Sequence, residues 1–414
     1  MISVDKFLSF LITEFLDPLL IHSYGFKPSY STHIDNYCNF TYDLNIGGTT
    51  GQCIWWHEEP LNQKDLDAVR YIGALHPEKI GGRYTAEFPI APGPTTQLPC
   101  YAFIYYCNFH IFANSEISQF KKQYLKEWNT NDWYFFYHGF AALDWFRDWK
   151  YIDYTNKTAK FDKVFICLNH LISKNRSYRI TLLSHLYQKK LQNFGHISAP
   201  LLTKDNIKNE LYDPYSRLSL NSKKHILNNL INNAYPLTLD TCEYNKASAD
   251  IINDGYMQTA LWNIVTETVF YDQALHLTEK IFKPIVTKRP FILVSSPGNL
   301  AYLKSYGFRT FNKWIDESYD DEHDSDIRIG LIVKQIEKLC NLSQSQLSAM
   351  YIEMQEILEY NHNHFYNAFK NTIVDELVNN FEGCLKKYNH GLSDRWRLDS
   401  SRINFERLKN ILKN

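Results

Sequence analysis

Paired cysteines are missing. The eight present (Cys38, Cys53, Cys100, Cys107, Cys167, Cys242, Cys340 and Cys384) are scattered, and none shows Cys-x-x-Cys spacing. A disulfide framework or zinc ribbon is therefore not expected; the pattern reads as reduced, mostly buried thiols of a cytosolic protein. An excess of one charge is missing too. Lys and Arg number 44 against 45 Asp and Glu, a formal net charge of −1. That leaves no global electrostatic footprint for tight nucleic-acid binding. Glycine is sparse, at 16 residues, and the one Gly-rich stretch, Gly47-Gly48-Thr49-Thr50-Gly51, has neither the Lys of a P-loop nor GxGxxG spacing. It reads as a tight loop before a strand. No run approaches the roughly 18 apolar residues that a membrane span needs. The opening MISVDKFLSFLITEFLDPLL carries Asp5, Glu14 and Asp17, against the basic start and clean apolar core of a signal peptide. It is expected to form an amphipathic helix on the first domain, or else a membrane-surface anchor.

What is present is ample core material. Hydrophobic residues make up 44% and aromatics 15% of 414 residues, enough for roughly two to three domains of about 150 residues. The most informative stretch is 265–311. An apolar helical pattern at Ile281, Phe282, Ile285 and Val286 precedes a buried strand at 291–294. A Ser-Ser-Pro-Gly-Asn turn follows, then a helix ending at Gly307 and a strand-like 308–311. This is the order of an open parallel sheet with helices on its faces. Gly307 is placed as a helix C-cap, where the left-handed conformation favours glycine. Pro284 breaks the local rule, so the helix either starts near Lys283 or kinks there. The first choice puts Glu279 and Lys280 on the loop feeding a helix N-terminus, which suits phosphate.

Earlier in the chain, a strand is expected at 163–168, opening onto a basic segment with Asn175, Arg176 and Arg179. A helix with Ile180, Leu183 and Leu186 inward follows. Cations are disfavoured at a helix start, so these arginines call for an anion nearby; strand, basic loop and helix can hold a diphosphate without a metal. Surface charges on a first turn are the plainer reading. In the first half, an apolar strand runs into His57, Glu58 and Glu59, material for a general base or for a solvated helix start. Strands are also expected at 101–107 and 133–137. The latter ends in His138-Gly139, with Asp144 beyond, forming either a pocket wall or a packed turn. Asp65-Leu66-Asp67 and Asp324-Ser325-Asp326 match a metal-binding Asp-x-Asp literally but read better as solvated or helix-capping acids. Residues 200–245 form an excursion of helical pieces. After it, 261–265 is a strand leading to Thr266-Glu267-Thr268. Two further helices follow, with Ile329, Ile332, Val333, Ile336 and Leu339 on one face, then a long helix from 343 to about 371.

Thr266-Glu267-Thr268, Leu277-Thr278-Glu279-Lys280-Ile281-Phe282 and Pro290-Phe291-Ile292-Leu293, downstream of the basic 175–179 loop, resemble the donor half of α1,3-fucosyltransferase-like enzymes. The chain also looks like phage-encoded glycosyltransferase-like proteins, in which TEK, PFI, GF-x-TF and an HGFAALDW-like element recur. The likeness covers 163–340 well, and the first half only through HGFAALDW and the Trp56-His57-Glu58-Glu59-Pro60 turn. It implies an α/β, GT-B-like fold: two Rossmann-like domains facing across a cleft, plus C-terminal helices. The divisions would be an acceptor-side domain at 1–155, a donor domain at 156–340 and helices at 341–414 packing back. Glu279 would bond the donor ribose, Lys280 the diphosphate, Arg176 or Arg179 a second phosphate contact, and Glu267 would lie by the sugar. Of the family's Phe-Glu-Asn only the acid is kept.

The expected activity is transfer of a sugar from a nucleotide-diphosphate sugar to an acceptor hydroxyl, without a metal or further cofactor and, by the resemblance, with inversion. The base would come from Glu58 or Glu59, with His57, His138 and Asp144 behind. The acceptor would be a glycan or small molecule. Two alternatives stand beside it: a phage enzyme glycosylating a hydroxymethylated DNA base, and a non-catalytic sugar- or nucleotide-binding module. The expected location is the cytoplasm, that of the host if the chain is phage-encoded.

Overall fold

The computed structural model describes residues 19–23, 52–57, 109–114, 117–118, 121–122, 125–126, 131–233, 237, 239, 254–389 and 404–413. They belong to an α/β protein with parallel sheets. The chain divides into two compact units, one of residues 1–144 with 370–414 and one of residues 145–369. The segment expected as a donor domain, 156–340, lies inside the second. Among the described residues no helix is long and apolar enough to cross a membrane.

In the first unit, strands β1 (Leu19–Ser23), β2 (Gln52–His57), β3 (Phe109–Asn114) and β4 (Asn131–Tyr134) form one sheet in that order. Every pairing is parallel. Helix α1 (Tyr137–Trp145) follows β4. The strand expected at 101–107 lies outside the described residues. The expected strand at 133–137 stops at Tyr134, and His138-Gly139 opens α1 instead of forming a turn; the buried backbone of Tyr137 to Ala142 is paired within that helix. Two helices from the far end of the sequence, Lys370–Asn389 and Phe405–Lys413, complete this unit. Trp133, fully buried, donates to the Leu377 carbonyl at 3.3 Å and packs on Phe381 at 4.7 Å. Asn380 caps the end of β4 through the Tyr134 carbonyl at 2.9 Å.

The second unit is built on β5 (Lys163–Leu168), β6 (Gly195–Ser198), β7 (Ala260–Thr266) and β8 (Phe291–Val294). Their order across the sheet is β8-β7-β5-β6, all parallel. β7 is buried at every residue, as a central strand covered on both faces must be. Helix α2 (Tyr178–Gln188) links β5 to β6, and Ile180, Leu183 and Leu186 face inward as their spacing predicts. The excursion contributes α3 (Lys204–Tyr212) and α4 (Leu220–Asn229). Helix α5 (Glu279–Val286) links β7 to β8, and α6 (Asn299–Ser305) follows β8.

Gly307 closes α6 with φ of +92°, and the His364 ring sits 2.8 Å from where a Cβ would be. Both the left-handed backbone and the close approach demand glycine. Helix α7 (Ser325–Cys340) buries the predicted Ile329, Ile332, Val333, Ile336 and Leu339. Helix α8 (Gln344–His364) starts at a Ser343/Gln346 capping box and gives way to a π turn at Phe365–Phe369, after which the helix Lys370–Asn389 carries the chain past the expected end near 371.

Of the two expectations for the helix after Thr278, the start near Lys283 is not what forms. The helix begins at Glu279, with Thr278 as N-cap and Pro284 inside it. Pro284 forfeits only the hydrogen bond to the Lys280 carbonyl, so an eight-residue helix loses one bond and keeps its first turn. Glu279 and Lys280 are thus helical, not loop, residues.

Candidate functional site

The strand order of the second unit reverses once. From β5 the chain moves to β6 on one side, then returns past β5 to β7 and on to β8. Right-handed connections place α2 and α5 on opposite faces, which opens a crevice at the carboxyl ends of β5 and β7. A cavity of about 140 Å³ lies there. Its sheet side is lined by Ile166, Leu168, Ser198, Asn263 and Val265, and its mouth by Asn169, His170 and Thr266. The helix side supplies Arg179, Glu279, Lys280, Lys283 and Pro284. The registers Ile166–Asn263 and Leu168–Ser198 put these five on a single face of the pleat, while Ile264, which also borders the cavity, alternates to the other.

The mouth is held by a set of buried polar contacts. Asn169 accepts from the Thr266 hydroxyl at 2.9 Å and its backbone N–H donates to the Ser198 carbonyl at 2.7 Å. Arg179, only 2% exposed, donates to the carbonyls of Leu171 (2.8 Å), Thr266 (2.7 Å) and Glu267 (3.2 Å). It ties the loop after β5 to the end of β7 and sets a positive charge in the cavity wall. Tyr178 donates to the Glu267 carbonyl at 2.5 Å and stacks on Phe270 at 4.1 Å. Arg328 lies 4.2 Å from the centre of the same Phe270 ring and donates to the Phe270 carbonyl at 2.6 Å.

Glu267 is fully buried and outside the cavity lining. Its carboxylate accepts from the Thr278 backbone (3.1 Å), the Thr278 hydroxyl (2.5 Å) and the Thr268 backbone (3.3 Å). Burial pushes its pKa up, against the pull of Lys280 and the Thr278 hydrogen bonds. It organises the 267–278 loop and so aims the first turn of α5. Thr278 also accepts from Lys280 Nζ at 3.1 Å, and the same ammonium pairs with Glu279 at 2.9 Å. Lys280 keeps about a third of its side chain exposed at the cavity.

Asn175 and Arg176 sit on a single 3-10 turn, Lys174–Arg176, where Lys174 holds φ of +56°. Arg176 reaches Thr268 at 3.5 Å and does not line the cavity. The excursion pins this turn. Glu210 of α3, buried, accepts from the Lys174 backbone at 2.9 Å and from Ser216 at 2.9 Å. Arg217 pairs with Asp272 at 2.9 Å and lies over the Tyr271 ring, while Tyr271 bonds Ser177 at 3.0 Å. The segment with no legible role in the sequence therefore braces both loops of the site.

Among the sequence-chosen residues, Arg179, Glu279 and Lys280 meet at the cavity, with Thr278 and Glu267 behind them. Of the first-unit candidates, His57 ends β2 in register with Asn114, and Glu58 and Glu59 lie outside the described residues. His138 is buried on α1 and Asp144 is half-buried on the same helix. Six residues apart, they point to different faces of it. The Asp-x-Asp at 324–326 caps helices: Asp324 accepts from the N–H groups of Asp326 and Ile327, and Asp326 accepts from Ser219 and Ser222. Asp65-Leu66-Asp67 lies outside the described residues. Sequence reasoning passed over Asn169, His170, Asn263 and Lys283. A polar Asn263 inside the apolar run 260–266 was the available signal, since a strand buried on both faces is otherwise apolar.

No protein-family model matches the chain, and no curated protein shows significant similarity to it.

Proposed function

We propose that the second unit binds the diphosphate of a nucleotide-sugar and that the protein is a metal-independent glycosyltransferase of GT-B type. The cavity at the strand-order reversal carries this reading, because Arg179, Lys280 and Lys283 border it beside the first turn of α5. About 140 Å³ is below the roughly 300–1,000 Å³ of a complete small-molecule site, so the cavity takes one part of such a donor, with the diphosphate at its mouth beside Lys280 and the first turn of α5. Two units, each with an all-parallel four-stranded sheet, also suit a two-domain transferase.

In the proposed reaction an acceptor hydroxyl oxygen bonds to the anomeric carbon as the bond from that carbon to the phosphate oxygen breaks. The nucleoside diphosphate leaves with the electron pair, and Lys280, Lys283 and Arg179 stabilise the charge that develops on it. The acceptor proton passes to a base assigned to His57, Glu58 or Glu59.

Enzymes of this chemistry hydrolyse their own donor slowly, so incubation with a panel of nucleotide-sugars is the direct test. Release of nucleoside diphosphate from one donor, reduced at least about tenfold in Lys280→Ala with an unchanged melting curve, is the expected result. No release and no binding with any donor would overturn the reading.

A further inference from the structure

The inner end of the cavity contains a group that the diphosphate reading does not use. Asn263 is 6% exposed, and its Nδ2 has no hydrogen-bond partner among the described residues. A buried donor left unmade is costly, and native structures rarely keep one without a reason. Asn263 also occupies the middle of β7, where each neighbour from Ala260 to Val265 is apolar. It lies three residues, roughly 10 Å, below the strand end at Thr266. Across from it, Lys283 and Pro284 are about one helical turn deeper than Glu279.

The surroundings narrow what this carboxamide can meet. Ile166, Leu168 and Val265 form an apolar floor, and Pro200 and Pro284 add apolar walls. A hexose carries a hydroxyl on nearly every carbon and needs many polar partners. A nucleobase has apolar faces, with its donors and acceptors confined to the ring edge. A planar carboxamide offers one donor and one acceptor side by side, the pattern that pairs with such an edge. Size decides between bases. A cavity of about 150 Å³ in another protein takes up one benzene ring, and this one, about 140 Å³, matches a single ring more closely than a fused pair.

We propose that Asn263 reads the edge of a pyrimidine base, so that the nucleotide of the donor is a pyrimidine and not a purine nucleotide. This rests on the donor-site reading above and specifies it. The test is calorimetric binding of UDP, GDP and inorganic pyrophosphate to the full chain and to Asn263→Leu and Lys280→Ala. UDP is expected to bind at least about tenfold more tightly than GDP, the discrimination of one good two-point contact. Asn263→Leu, which keeps the branched four-atom shape of Asn and removes the orphan amide, should erase that preference and leave pyrophosphate binding within about threefold. Lys280→Ala should weaken all three ligands.

Equal or tighter GDP binding, or a UDP affinity indifferent to Asn263→Leu, would overturn the base assignment while the anion site stands. Failure of UDP, GDP and pyrophosphate alike to bind would overturn both. If Asn263→Leu does not fold, Asn263→Asp replaces it. Its second acceptor in place of the donor should again cost UDP at least about tenfold, and an unchanged UDP affinity would overturn the assignment.

Discussion

Helices α5 and α6 both start at the carboxyl end of the second unit's sheet, yet their first turns are treated differently. At α6 the chain supplies its own anion: the Asp320 carboxylate accepts from the N–H groups of Leu300 and Ala301 at 2.9 and 3.0 Å. Asn299 fixes the preceding turn by donating to the Ala274 and Ser296 carbonyls. At α5 the nearest carboxylates are spoken for. Glu267 is turned back on Thr278, and Glu279 pairs with Lys280. Lys280 and Lys283 then face a cavity. One helix start is completed internally and closed; the other brings cations to an opening. The same dipole serves structure in one place and is available for a ligand in the other.

The largest way to break this contrast is Arg179→Met. It removes three charge-assisted contacts, two of them to the buried Thr266 and Glu267 carbonyls, that tie the loop after β5 to the end of β7. A loss of about 3 kcal/mol is expected in urea denaturation, together with loss of ligand binding. Asp320→Ala should cost about 2 kcal/mol by the same measurement, because the buried Leu300 N–H and the part-buried Ala301 N–H lose their acceptor, but should leave nucleotide binding within about twofold. If Asp320→Ala abolished binding, the two helix starts would not be separate devices.

A third experiment tests the packing between α2 and α4, away from both helix starts. His185 on α2 packs on His225 of α4 at 3.8 Å, and burial, with His225 and Lys189 beside it and Asp326 opposing, lowers its pKa from 6.5 to about 4. The folded state thus prefers the neutral ring. That stability is complete above about pH 6.5 and is lost as pH falls toward 4, by about 1 kcal/mol at pH 5 after solvent screening. Urea midpoints at pH 8 and pH 5 should show the loss, and His185→Gln should reduce it. The smallest effect on stability is expected for Lys280→Ala. Its ion pair joins a partly exposed ammonium to a Glu279 side chain only 11% exposed and is worth under about 1 kcal/mol, so a denaturation midpoint shifted no more than that, with at least tenfold weaker pyrophosphate binding, separates function from folding.

Much of the second unit was legible in its sequence because its elements announce themselves locally. The apolar faces of α2 and α7, the strand at 291–294 and the cap at Gly307 each depend on residues within one or two turns of each other. The start of α5 was not, because Pro284 argued for a break. What outweighs it is Thr278, held by a glutamate 11 residues away, and no local rule contains that bond. Arg179 was chosen for its region, and its carbonyl contacts were not foreseen. Composition marks it as a cation near a helix start, but only the fold brings it to the carbonyls of 266 and 267. Glu210 and Arg217 were illegible for the same reason, since their partners Lys174 and Asp272 lie 36 and 55 residues away.

The strand-order reversal also bears on how the protein is made. β5 and β6 emerge early, but β5 gains its other neighbour only when β7 arrives, and Arg179 must wait 87 residues for the Thr266 carbonyl. Long closures of this kind are slow and follow local structure. During synthesis the chain therefore spends a period with α2 formed and a buried-type arginine still in water. A chain stopped before residue 260 has the basic loop but no crevice, and ligand can favour folding only once β7 and α5 have joined the sheet.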